Sequence, residues 1–381
     1  MPGPLTISAV DVFAVRLPLR EPFVIAYGVF SDVPTVIVRL RTADGLVGWG
    51  EATPDALVTG ETYGGTIETI RHDLASALPG RDARDRDAVM RALDERFEGV
   101  PAAKAAFDIA LHDLLGRAVG LPVWTLLGGR SKSHLTISRV VSMGDPAAMA
   151  AAAERHVAAG FRTVKLKVGD AANPGLDVAR IASVRAAVGP EIGIKVDVNQ
   201  GWRTPGVAIA AIRASLKSRP DYIEQPVAQW DLEGLAEVRR QTGAVIMVDE
   251  GCHGPREMLR IAGLRAADLV NIKLMKCGGL GRAAGLNAIA ETAGIGAQVG
   301  TMVESSIASA AGLHLAVSLA NVRTVEMGGP LMLAADIGDA ATWYDRDRIT
   351  VPDAPGLGIT IDEAALARFT EGRWTIGADS A

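Results

Sequence analysis

The chain has 381 residues, 49% of them hydrophobic and 22% charged, with a formal net charge of −5. That is the composition of a soluble globular enzyme, long enough for a barrel of about 250 residues and a further domain. The acidic balance argues against a nucleic-acid partner. With no 18-residue apolar run and no basic start followed by an apolar block, no membrane partner and a cytoplasmic location are expected.

Residues 6–50 read as antiparallel strands, at 7–17 and 35–42, followed by a turn at 43–45 and a strand into 48–51. Helical spacing then predicts helices at 66–77, 85–97 and 102–119. In the last, Ala106, Ile109, Ala110, Asp113 and Leu114 share a face, with Pro101 near the start and Gly120 at the stop. These elements form an α+β capping domain over residues 1–129. Within it, 23–30 and 54–61 are Gly-punctuated connections carrying apolar and aromatic residues. They are read as loops that cover a ligand.

From 130 to 330 the pattern alternates short apolar strands with helices, the signature of βα units. The first strand is read at 135–141, and helices at 146–159, 175–188, 206–218, 232–241, 255–262 and 281–293. A seventh strand covers 298–304 and is followed by the small-residue run 305–311. The eighth, at 324–330, closes the ring, and the segment 331–381 returns to the cap through 356–359. The fold class read from this order is α/β, a (β/α)7β TIM-like barrel with an α+β cap. Cys252 and Cys277 are read as free thiols. The six histidines are read as packing or surface residues, with His253 nearest to a motif.

Chemistry concentrates on the barrel strands. In the run 163–168, Lys165 and Lys167 are two apart and share one face of an apolar strand. A buried lysine is costly unless it is paired or used. Lys273 repeats the situation in the run 270–274, and between the lysines three apolar runs end in acids, Asp197, Glu224 and Asp249. Steps of 30, 27, 25 and 24 residues separate Lys167, Asp197, Glu224, Asp249 and Lys273. This is about one strand-plus-helix unit each, which brings all five to the C-terminal rim of a barrel. Three hard oxygen ligands without Cys or His suit Mg²⁺ better than zinc. Lys195, two residues before Asp197, is expected deeper in the barrel as a structural ion pair.

Lys-x-Lys, Asp-x-Asn, Glu-Gln-Pro, Asp-Glu and Asn-Ile-Lys, in that order, resemble the enolase superfamily and within it the muconate lactonizing enzyme subgroup. The resemblance implies Lys167 and Lys273 as an acid/base pair on opposite faces of the substrate, Lys165 as a helper, and Asp197, Glu224 and Asp249 as ligands of one Mg²⁺. The mandelate racemase branch is disfavoured, because no His lies in 298–304. The segments 23–27, 58–61, 197–202, 271–279 and 299–306 look most like the N-succinylarginine/lysine racemase group, which implies a small-molecule carboxylate substrate and a homo-oligomer. Tyr27, Glu304, Ser306 and Glu326 are then expected at the substrate. Asp32, Asp55 and Glu61 are read as an acidic lid for a cationic side chain. Dipeptide epimerases carry Asp-x-Asp after the eighth strand where this chain has Gly328, and Gly-Pro-Leu there also occurs in muconate cycloisomerases, so lactonisation is the first alternative and dipeptide epimerisation the second. Repulsion among the lysines and a nearby metal is expected to lower the pKa of Lys167 and Lys273.

Overall fold

The computed structural model describes residues 5–377. Its N-terminal part is an antiparallel meander, β1 (Ile7–Ile25), β2 (Gly28–Thr42) and β3 (Val47–Ala52), covered on one face by helices. The first strands run further than their sequence predicts. β1 passes Pro18 through a register shift between Pro18 and Phe23, then pairs again with β2 up to Ile25 and Gly28. The connection expected at 23–30 is therefore the tip of a hairpin. The two prolines sit at the shift, where a missing N–H costs no ladder bond.

Helix α1 (Tyr63–Glu68) runs into wider π turns at Thr69–Leu74 and a tight turn at Ala75–Ala77, so the helix expected at 66–77 is only partly α-helical. After α2 (Arg86–Arg96) comes α3 (Pro101–Val119), with Pro at its first turn and Gly120 in the left-handed conformation at its end. Glu61 caps α3 by accepting from Ala102 N at 2.6 Å and Ala103 N at 3.1 Å. The helix lies so close on β3 that a Cβ on Gly50 would fall 1.8 Å from the Ala106 carbonyl oxygen, and one on Gly48 2.3 Å from that of Ala110. A short helix, α4 (Val123–Leu126), leads to the barrel.

The first barrel strand is split. β4 (Leu135–Thr136) leaves the ring, and β5 (Arg139–Val141) begins the eight-stranded parallel sheet. The others follow in sequence order: β6 (Thr163–Lys167), β7 (Gly193–Asp197), β8 (Tyr222–Glu224), β9 (Ile246–Val248), β10 (Leu269–Ile272), β11 (Gly296–Val299) and β12 (Val322–Val325). A parallel bridge between Ile137 and Val325 joins the first and last strands, which closes the ring. The outer helices are α5 (Pro146–Ala158), α6 (Pro174–Val188), α7 (Pro205–Ser215), α8 (Leu232–Thr242), α9 (Pro255–Leu264), the short α10 (Leu274–Cys277) with α11 (Leu280–Thr292), and α12 (Ser306–Ser318). Pro stands in the first turn of α5, α6, α7 and α9, where its lost N–H is free of charge to the helix. The fold is thus (β/α)7β.

After a turn of helix, α13 (Gly329–Met332), the chain forms β13 (Tyr344–Asp345) and β14 (Arg348–Ile349), and β14 pairs with β4. Gly356 then bridges Pro122, and Leu357 N donates to Asp113 of α3 at 2.7 Å. Helix α14 (Glu363–Phe369) leads into β15 (Thr370–Gly377), which adds to the cap sheet beside β1. Residues 1–4 and 378–381 of the spans read from sequence lie outside the described residues. No helix among the described residues is long and apolar enough to cross a membrane.

Candidate active site

In an eight-membered ring, the second and sixth strands are diametrically opposite. Lys167 ends the second, β6, and Lys273 follows the sixth, β10, so the two ammonium groups approach from opposite walls. Both line one cavity at the C-terminal mouth, with Lys165 also on its surface. The three acids come from the strands between. Lys167, Asp197 and Glu224 stand in register across β6, β7 and β8, and Asp249 follows β9. All three acids are fully buried.

Their side chains are bridged by lysines. Lys165 Nζ lies 3.0 Å from Asp197 and 2.7 Å from Glu224, and it also pairs with Glu326. Lys167 Nζ meets Asp197 Oδ2 at 2.6 Å and Asn199 Oδ1 at 3.3 Å. Asp249 is held between Lys273 at 2.7 Å and Lys276 at 2.6 Å. As they stand, with ammonium groups paired to them, no three His, Cys, Asp or Glu side chains among the described residues form a metal-sized cluster.

The charges follow from this pairing. Burial opposes the charge of Lys165, yet Asp197, Glu224 and Glu326 outweigh it and hold its pKa well above the usual range. Lys273 is also raised, against burial, by Asp249 and Glu250. With no metal beside it, the adjacent carboxylates dominate over repulsion between lysines at Lys273. Glu224 is pushed up to about 8, by burial first and then by the charge of Asp197. Glu250 rises to about 7, by burial and then Asp249. Burial first, and crowding of neighbouring carboxylates second, thus disfavour ionisation of Glu224 and Glu250.

The crowding of these carboxylates bears on whether a divalent cation suits them. The donors are all oxygen, buried, and on three adjacent strand ends, and Glu250 Oε2 beside them has no hydrogen-bond partner. The donor chemistry fits Mg²⁺, which would take the place of the ammonium groups now paired with these carboxylates. Sequence reasoning gave no role to Glu250, which accepts from Asn199 Nδ2 at 3.1 Å, or to Lys276, fully buried against Asp249. The signals were present as Asp-Glu after the fifth strand and Lys-x-x-Lys after the sixth.

The remaining candidates divide. Glu326 lines the cavity, but it also pins Lys165, accepts from Tyr222 Oη at 3.1 Å and faces Lys195 at 3.6 Å. Lys195 is otherwise held by Ser138, Gln298 and Thr324, in the structural place expected of it. Tyr27 lines the cavity and donates to Asp55 Oδ2 at 3.3 Å. Glu304 and Ser306 do not line it. Glu304 accepts from Thr301 Oγ1 at 2.8 Å and Met302 N at 3.0 Å, and Ser306 Oγ donates to Asp336 at 2.8 Å.

The acidic lid is corrected. Glu61 is the α3 cap, and Asp32 is paired with Arg16 at 2.8 Å, leaving Asp55 as the acid with an oxygen engaged only by a tyrosine hydroxyl. His253 donates from Nε2 to the Val58 carbonyl at 2.6 Å, which ties the 54–61 connection to the barrel.

Fold and site together define an isomerase of the enolase superfamily. Residues 7–128 match the model for the mandelate racemase / muconate lactonizing enzyme N-terminal domain and residues 148–365 the enolase C-terminal domain-like model, so the chain belongs to this family. The N-succinyl-L-Arg/Lys racemase of Bacillus cereus is 44% identical over 96% of this chain and 98% of its own. Its crystal structure superposes with a TM-score of 0.95 at 43% identity, over 97% of this chain and 100% of that one. A dipeptide epimerase from Cytophaga hutchinsonii, complexed with Mg and D-Ala-L-Val, gives a TM-score of 0.93 at 31% identity, covering 97% and 100% of the two chains. The muconate lactonizing enzyme of Pseudomonas fluorescens, complexed with muconolactone, also gives 0.93, at 33% identity and the same coverages.

Proposed function

We propose that the protein racemises N-acylated, specifically N-succinyl, α-amino acids with cationic side chains by a two-base 1,1-proton transfer. The observation that carries this reading is the placement of Lys167 and Lys273 on opposite walls of one cavity. One lysine removes the α-proton from one face of the substrate and the other returns a proton to the opposite face, which inverts the centre. For either to act as base, it must release its carboxylate and lose a proton. Asp197, Glu224 and Asp249 would hold Mg²⁺, whose charge stabilises the enediolate that develops as the proton leaves. Lys165, fixed by Glu326, keeps a further positive charge on the same side. Likeness to the Bacillus cereus racemase supports the N-succinyl group.

Asp55 and Tyr27 support a cationic side chain, since a guanidinium or ammonium entering under the hairpin meets a carboxylate and an aromatic face. Gly328 leaves no acid for the ammonium of a dipeptide. The test is polarimetry and α-hydrogen exchange in D₂O with N-succinyl, N-acetyl and dipeptide substrates, with and without Mg²⁺. Mg²⁺-dependent racemisation of N-succinyl-arginine and N-succinyl-lysine is expected. Preference for hydrophobic N-succinyl amino acids would remove the cationic pocket but keep the racemase. Lactone formation from cis,cis-muconate without racemisation of any amino-acid derivative would remove both.

A further inference from the structure

A second chamber adjoins the catalytic cavity and shares Phe23, Val140 and Met332 with it as a common wall. It lies between β5, α5, α13 and the foot of the β1–β2 hairpin. Its ionisable lining is Arg20, Arg139, Arg155 and His156, against a single carboxylate, Glu21. Arg139 is half-buried. It donates to the Leu331 carbonyl at 3.3 Å and makes no salt bridge among the described residues. Burial first, and then the charge of Arg20, lower its pKa against the pull of Glu21, so the guanidinium sits in an environment short of negative charge. Arg20 and Arg155 are exposed at the rim. His156, edge-on to Phe161 at 6.4 Å and pushed to about 4 by burial and Arg139, adds no charge at neutral pH.

The two spaces are parted by the side chains they share, Phe23, Val140 and Met332. A Cβ built on Gly328 would meet no atom within 4 Å, and the wall beyond it is Met332, whose unbranched side chain yields readily. The molecule thus offers opposite charges on two sides of its reaction centre: Asp55 under the hairpin tip, and guanidinium groups behind Met332. Planar guanidinium forks are the side chains best matched to a carboxylate.

We infer that this arginine chamber receives the terminal carboxylate of a dicarboxylic acyl group on the substrate nitrogen, with Arg139 as the residue that reads it and Arg20 as its support at the rim. The inference rests on the racemase reading and deepens it by naming what selects succinyl over a neutral acyl group. The substrate is sorted by charge, its cationic side chain toward Asp55 and its acyl carboxylate toward Arg139.

Racemisation kinetics of wild type, Arg139→Gln, Arg139→Lys and Arg20→Gln with N-succinyl-L-arginine and N-acetyl-L-arginine test this. Wild type should prefer the succinyl compound. In Arg139→Gln the succinyl/acetyl ratio of kcat/KM should fall about 10- to 100-fold, the loss of a charge-assisted contact, and chiefly through KM. Arg139→Lys should regain part of it, and Arg20→Gln should show a smaller fall. A merely structural Arg139, holding Leu331, would lower both substrates together and leave the ratio unchanged, which overturns the inference. Should Arg139→Gln fail to fold by circular dichroism, the ratio in Arg20→Gln decides. Wild type inactive on both compounds would end the racemase reading, and calorimetric titration of the same two compounds then decides the chamber. Tighter succinyl binding that the Gln variants abolish supports it, and equal affinity overturns it.

Discussion

Replacing Glu304 by Gln should stabilise the protein at pH 8 and change little at pH 5. Glu304 is 1% exposed, and its pKa is pushed from 4.5 up to about 7, by burial first and then by the neighbouring charge of Glu51. Between these two values the folded chain holds a proton at this site that the unfolded chain has released. The folded state therefore binds more protons, and stability falls as pH rises from the unfolded pKa through the folded one. At about 1.36 kcal/mol per unit, the loss above pH 7 has a ceiling of about 3 kcal/mol. Gln keeps an acceptor oxygen for Met302 N and can donate to Thr301 Oγ1, while carrying no charge. The expected gain at pH 8 is about 1–3 kcal/mol once relaxation around the ionised acid is allowed for. Urea unfolding of wild type and variant at pH 5 and pH 8 measures it. A variant equally shifted at both pH values, or less stable than wild type at pH 8, would refute the reasoning.

Lys167→Ala and Lys273→Ala should each reduce racemisation by about 10²–10⁴-fold while retaining α-hydrogen exchange from one enantiomer, the opposite one in each variant; full racemisation in either would sink the two-base scheme. Asp55→Asn should raise KM for N-succinyl-arginine about tenfold and leave hydrophobic N-succinyl substrates unaffected, so an equal effect on both would show that Asp55 does not read the cation. Gly50→Ala should cost about 3 kcal/mol or more, because its Cβ would meet the Ala106 carbonyl oxygen at 1.8 Å; a urea midpoint close to that of wild type would show that α3 can retreat from β3.

The barrel and its five charged positions were legible because each rests on local sequence. A period-2 strand places Lys165 and Lys167 on one face, and a repeat of roughly one βα unit places the acids on neighbouring strands. What was not legible depends on partners distant in the chain. Glu61 looked like a lid acid and caps a helix forty residues on. The split after Leu135–Thr136 arises from pairing with Arg348–Ile349. Pro18 ended the first strand on paper, whereas the partner strand carries the pairing past it. The direction of the Lys273 shift was not legible, because it depends on which charge is nearest, and without a metal a carboxylate at 2.7 Å outweighs lysines further off.

The shift in the β1–β2 ladder between Pro18 and Phe23 divides the cap into two mechanical parts. Below it, the sheet is wedged against α3 through glycines that tolerate no side chain, and α3 is tied by Asp108 to Leu280 N of the barrel. Above it, the hairpin that carries Phe23, Tyr27 and Phe30 holds to the barrel at few points, among them Met143 N to the Val24 carbonyl at 2.9 Å. Residues added to or removed from this tip displace no ladder bond of the lower sheet and no strand of the barrel. Over generations, then, the tip can be rewritten while the lysines and acids stay where they are, so a new substrate range is open to the lineage through a change of some ten residues with no redesign of the proton transfer.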